Sequence, residues 1–166
     1  MADLFFPENL FIMHGLPPSS AAGGALVSQG ISLKNVHKLW AVCGVHTPTS
    51  AAVAIVPQTD VTVAFAGAEA LVHTVPIWVN LTADATDLFA RATDAVNYTT
   101  AADALAKTII FEIDPASIRT ELTSGADEDC FRISFTAVAA GDWVDVIYII
   151  QPRYPSAVAN QTYIAN

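Results

Sequence analysis

Apolar residues in this chain come in short alternating runs rich in β-branched side chains, and no other feature constrains the fold as strongly. Val53-Ala54-Ile55-Val56, Val61-Thr62-Val63-Ala64-Phe65 and Val144-Asp145-Val146-Ile147-Tyr148-Ile149-Ile150 are examples. Alternation of period two places successive side chains on opposite faces of a strand, whereas a helix needs spacings of three and four. Charge is scarce as well. Apolar residues make up 53% of the chain and charged ones 14%, against about a quarter charged in an ordinary domain. So little charge cannot dress a typical solvated surface, and the sequence predicts an outside partly covered by neighbouring subunits.

Eight runs read as strands, at 38–45, 51–56, 61–66, 75–81, 95–99, 108–114, 130–138 and 143–151. Turn-forming clusters separate them, among them His46-Thr47-Pro48-Thr49-Ser50 and Pro57-Gln58-Thr59-Asp60. Ala139-Ala140-Gly141-Asp142 reads as a hairpin turn joining the last two strands, and Pro76 pushes its strand towards an edge or a bulge. Residues 82–106 read as a long connection, in which 101–107 has the Ala and Leu content of a short helix. The run 143–151 is apolar on both faces apart from Asp145, as in a strand covered on both sides. Its carboxylate would need a partner, for which Arg132 on the preceding strand is the candidate.

The expected fold is therefore all-β, a sandwich of eight strands arranged like a jelly roll, with extended N- and C-terminal arms. Residues 1–30 form the N-terminal arm, 31–152 the sandwich and 153–166 the C-terminal tail. Phe5, Phe6 and Phe11 stand in the first arm among Pro7, Gly15, Pro17, Pro18, Gly23 and Gly24, which break regular structure. Tyr154 and Tyr163 stand in the tail. Burying one Phe is worth about 1.5–3 kcal/mol, so these five aromatics are the expected contacts with a neighbouring copy or another protein.

Chemistry-bearing groupings are weak. At 166 residues the chain suits one domain able to bury a core without staples. Its 16 acids against 7 bases give a net charge of −9, which argues against nucleic acid and anionic membranes as partners. No apolar stretch approaches the roughly 18 residues of a membrane-spanning helix, and residues 1–7 lack the basic and apolar regions of a signal peptide, so synthesis in a cytosol is expected. Cys43 and Cys130 read as free, buried thiols. Cys43 and His46 have a C-x-x-H spacing without the second pair that zinc requires. Asp127-Glu128-Asp129 reads as a solvated turn, since it lacks an ordered calcium loop. Glu112 and Asp145 are carboxylates on outward-reading strand faces, with no spacing that selects them as a glycosidase pair. Trp40, Trp78 and Trp143 fit core or interface packing better than a sugar-stacking platform. No nucleophile motif or phosphate-cradling glycine loop occurs, so neither an enzyme nor a cofactor is expected.

Five short stretches carry a family resemblance: Ile31-Ser32-Leu33-Lys34-Asn35, Val75-Pro76-Ile77-Trp78, Thr93-Asp94-Ala95, Phe111-Glu112-Ile113-Asp114-Pro115-Ala116 and Asp129-Cys130-Phe131-Arg132. In that order, over about residues 31–154, the chain resembles small proteins encoded among the virion-structure genes of tailed bacteriophages. The resemblance implies a virion structural role without catalytic residues, most simply a capsid decoration, or cement, protein on the outer shell. It implies the major capsid protein as partner and, by analogy with shell proteins at local threefold positions, a homotrimer. A carbohydrate-binding sandwich of a host-recognition fibre, or a minor neck or tail component, is the alternative expectation.

Overall fold

The computed structural model describes residues 10–20, 24–118, 129–136 and 138–153. Among them are twelve strands and one short helix: β1 (Phe11–Ser19), β2 (Leu26–Val27), β3 (Ile31–Ser32), β4 (Val36–His46), β5 (Ala54–Asp60), β6 (Glu69–Ala70), β7 (Ile77–Asn80), β8 (Ala90–Arg91), β9 (Tyr98–Thr99), β10 (Ala106–Ile113), α1 (Pro115–Ile118), β11 (Cys130–Thr136) and β12 (Trp143–Pro152). The chain is all-β, in two antiparallel sheets. Sheet A runs β1-β12-β4-β10-β7-β8. Sheet B runs β2-β11-β5-β6, with β3 also on β11 and β9 also on β5.

Pairing is nested along the chain. β1 pairs with β12, β2 with β11, β4 with β10 and β5 with β6, working inwards from both ends. These ribbon pairs fall alternately in sheets A and B, so the ribbon curls and its apolar side meets itself. Leu39, Ala41, Cys43 and Val45 of β4, Ile109, Phe111 and Ile113 of β10, and Val144, Val146, Tyr148 and Ile150 of β12 are buried on the inner face of sheet A. They share one cluster with Ile55, Phe131, Ile133 and Phe135 of sheet B. Their strict alternation is what makes these segments strands, because only a period of two delivers every second residue to one core.

Tyr148 is a strut between the sheets. Its ring meets Phe131 edge-on with centroids 6.1 Å apart, and its hydroxyl lies 2.5 Å from Ser28 Oγ, beside β2. That serine oxygen also accepts the Ile133 N–H at 2.8 Å. Gly15 of β1 lies against the same ring, where a Cβ would overlap it.

Several expectations are corrected by the structure. Residues 11–19 are not irregular: Gly15 gives room to the Tyr148 ring, and Pro17 and Pro18 sit in an edge strand that need not donate on its free side. Phe11, expected to dock on a neighbour, pairs with Ile150 and packs half-buried against the chain's own core. Phe5, Phe6, Tyr154 and Tyr163 lie outside the described residues. Residues 57–60 continue β5 and are no turn, whereas 61–66 form a loop and no strand. Asp60 organises that loop by accepting the Thr62 N–H at 3.1 Å and the Gly67 N–H at 2.8 Å, and Phe65 adopts a φ of 52° within it. Residues 101–105 are irregular, part of the connection and not the alternative short helix, and β10 begins at Ala106.

The 139–142 turn exists, closed by the Asp142 N–H to Ala139 carbonyl bond at 3.1 Å. It does not make a hairpin, because β11 and β12 lie in different sheets. Arg132 therefore has no access to Asp145. It donates to Gln58 at 2.8 Å and lies 4.5 Å over the Phe65 ring.

Candidate functional site: an apolar outer face on sheet A

The register of sheet A places a second apolar layer on its outer side. One cross-strand row reads His14, Ile147, Val42, Ile110, Trp78, Arg91, and the adjacent row reads Ile12, Ile149, Trp40, Glu112. Residues directly opposite across a ladder share a face, so Ile12, Ile147, Ile149, Val42, Trp40, Ile110 and Trp78 form one continuous surface. The central ones are half-buried by one another, and Ile12 remains 53% exposed. Trp143, 50% exposed, extends the face at one end. The strand 143–151 is thus core on one side and half-exposed apolar surface on the other, where covering on both sides was expected.

Charges rim this surface and compensate one another. Lys38 forms an ion pair with Glu112, and its ammonium lies 5.5 Å from the Trp40 ring centre. Glu112 also accepts the Trp78 indole N–H at 3.3 Å. The Lys38 hydrogen bond above all, with the indole bond helping and partial burial opposing, holds the Glu112 carboxyl below its usual range. Arg91 makes a two-pronged contact with Asp94 at 3.0 and 3.1 Å and lies 5.9 Å over Trp78. Asp145 differs. Its carboxylate occupies the space a Cβ on Gly44 would take, and burial pushes its pKa up while the charge of His14 pulls the other way. It has no ion-pair partner among the described residues.

The candidate chemical groups are dispersed. Cys43 points into the core and His46 is exposed, so the C-x-x-H spacing brings no pair together. Both cysteines are free and buried, in different sheets. Burial pushes the Cys130 thiol up to about 12, with the neighbouring Asp129 adding to it. Asp129 is buried and pairs with Lys34 at 3.5 Å, and Asp127 and Glu128 lie outside the described residues. Glu112 and Asp145 do share the outer face, but two strands and two rows apart. Among the described residues no three His, Cys, Asp or Glu side chains group as metal ligands would, and no helix is long and apolar enough to cross a membrane.

A cleft of about 340 Å³ beside the face is lined by His37, Lys38, Thr74, Val75, Pro76, Glu112, Asp114 and Ser117. It holds serine, histidine and carboxylate side chains, but the Ser117 hydroxyl donates to the Asp114 carbonyl at 2.8 Å. The Asp114 carboxylate accepts the Ala116 N–H at 2.9 Å. Those bonds tie the cleft's serine and carboxylate to the start of α1.

Sequence reasoning expected an outside partly covered by neighbours but did not locate this outer face of sheet A. Its signal was present in the alternation of 143–151 and 38–45, where both sets of alternate residues are apolar. No protein-family model matches the chain, and neither the curated proteins nor the solved structures contain a match.

Proposed function

We propose that this protein is a bacteriophage virion structural protein, a capsid decoration protein that binds the outer shell as an oligomer. The observation that carries this reading is the broad aliphatic and aromatic outer face of sheet A. Isolated soluble domains rarely present a contiguous apolar surface of several hundred Å² unless a partner covers it. The short stretches between Ile31 and Arg132 that resemble phage virion proteins support the setting.

The nested pairing supports a jelly roll as the finer architecture. Taken as eight strands, β1, β2, β4, β5, β6, β10, β11 and β12 give the sheet orders β1-β12-β4-β10 and β2-β11-β5-β6, with β7 and β8 added at one edge. Viral shells and lectins both use that architecture. A cement protein stabilises a shell by binding the assembled lattice in preference to free subunits. Mass spectrometry of particles from the phage that encodes the chain tests the role: many copies per particle are expected, and absence overturns it. A few copies would instead mark a neck or tail component.

A carbohydrate-binding role is the second reading, favoured by Trp40, Trp78 and Trp143 all standing on the outer face. Lys38 and Arg91 already lie over two of these rings, which leaves less ring for a sugar to stack on. Tryptophan fluorescence against a glycan panel separates the readings, since only a sugar site responds.

A further inference from the structure

We propose that the outer face of sheet A packs against the same face of a second copy, about a two-fold axis running along the strands between β4 and β10. This deepens the assembly reading above by naming the partner of that face, and it rests on the face being a contact surface.

Size is the first argument. With strands about 4.8 Å apart and a rise of about 3.3 Å per residue, the face measures roughly 25 by 25 Å. Covering it on two copies buries on the order of 1,200 Å², the lower bound of a stable specific interface.

Charge selects the occupant. A chain of net charge −9 repels its own copies, so self-association needs a surface where charge is compensated. The Lys38–Glu112 and Arg91–Asp94 pairs give the rim that property. The exception is Asp145, half-buried without an ion pair among the described residues.

Symmetry resolves the exception. The axis sets β4 over β10 of the second copy, β12 over β7 and β1 over β8. Because rotation about the strand direction preserves each row, Val42 meets Ile110 and Ile147 meets Trp78. Asp145, one row along β12, comes within reach of the long Arg91 side chain of the second copy, and the contact occurs twice. A face meeting its like about a two-fold axis closes with two copies, whereas the trimer expected by analogy needs two different patches on each subunit.

Sedimentation of the full chain at about pH 7.5, from about 1 to 100 µM, is the test. A dimer is expected. Val42→Glu puts a carboxylate mid-face and should weaken the dimer by about tenfold or more, whereas Thr136→Glu, exposed on sheet B, should leave it unchanged. The decisive pair is Asp145→Arg and Arg91→Asp. Each alone sets like charges together at both contacts and should shift the chain to monomer. Mixed in equal amounts they should form a heterodimer, because both contacts are then opposite in sign. Circular dichroism confirms that each variant is folded. A monomeric wild type, a dimer indifferent to Val42→Glu, or a charge-swapped mixture that stays monomeric overturns the proposal. The virion reading is tested separately on particles, so a dimer absent from virions and a monomer present in them are distinguishable results.

Discussion

Removing one oxygen at either end of the inter-sheet strut should have unequal consequences. Tyr148→Phe deletes the hydroxyl that lies 2.5 Å from Ser28 Oγ. The serine oxygen still accepts the Ile133 N–H at 2.8 Å, and its own proton can turn to the Gln29 carbonyl at 3.5 Å. Nothing is orphaned, so the loss is one net hydrogen bond, about 1 kcal/mol. Ser28→Ala removes the acceptor of a buried backbone N–H and the partner of the phenol together. Two groups lose their partner, at about 1–3 kcal/mol each, less what the phenol recovers from Gln29 at 3.5 Å. The expected total is about 2–4 kcal/mol. For a chain of this length about 1 kcal/mol shifts Tm by roughly 2–4 °C. The serine variant should therefore melt clearly below the tyrosine variant, in thermal and urea unfolding alike. Equal losses, or a larger one for Tyr148→Phe, would refute the assignment of Ser28 as the shared acceptor.

Four further outcomes are expected. In Asp145, burial raises the folded pKa above the unfolded one; its cost is absent below the unfolded value and grows as pH rises through the folded one. Asp145→Asn, measured in the monomeric Val42→Glu background, should raise Tm at about pH 7 and change little near about pH 3. Glu112→Gln has the opposite sign, because a depressed pKa stabilises above the unfolded value and that contribution is lost as pH falls. Lys107 is fully buried, paired with Asp103 and bonded to Thr47 Oγ1 at 3.2 Å and the Leu105 carbonyl at 3.3 Å; Lys107→Met should cost on the order of 3 kcal/mol in urea unfolding. The Cys43 and Cys130 thiols, raised by burial, should resist a disulfide reagent at about pH 8 in the native state and react on unfolding.

Legibility in the sequence followed the strength of the alternation. The runs at 38–45, 108–114 and 130–138 became β4, β10 and β11 because each carries an apolar set at strict period two, and the core enforces it. β1 was hidden because Gly15, Pro17 and Pro18 are breakers by rule, while their tolerance depends on a ring and a free edge that come from distant sequence. Pro57 hid the second half of β5 in the same way. Ile133 directs its N–H to Ser28 Oγ and its carbonyl to the Ser28 N–H, so the Ile133–Pro57 pair exchanges no ladder bonds and the missing proline N–H is not required there. Val61, Val63 and Phe65 alternate like a strand, but the Asp60 carboxylate captures the following backbone amides and turns the chain instead. Sheet membership was beyond local reading: a tight turn before β12 resembles a hairpin whichever sheet the next strand joins.

Apolar alternation on both sides of a strand has two readings, burial in a fold or burial in an assembly, and composition separates them only when charge is counted by surface. The strands of sheet A place Glu112, Asp145, Lys38 and Arg91 on the outer face, with Asp94 beside Arg91. Three acids against two bases leave that face near neutrality, while the whole chain carries −9. The other acids among the described residues lie in sheet B or in connecting segments, outside those rows. Approach of a second copy by another side meets repulsion, whereas approach by this face meets paired charges and apolar area. In that arrangement net charge orients association as well as maintaining solubility. Reversing the excess should expose the effect: neutralising acid off sheet A, for instance Glu69→Gln on the exposed β6 of sheet B, should increase non-specific aggregation at low salt while leaving the dimer constant nearly unchanged. A dimer constant that tracked net charge instead would mean the face has no privileged electrostatics.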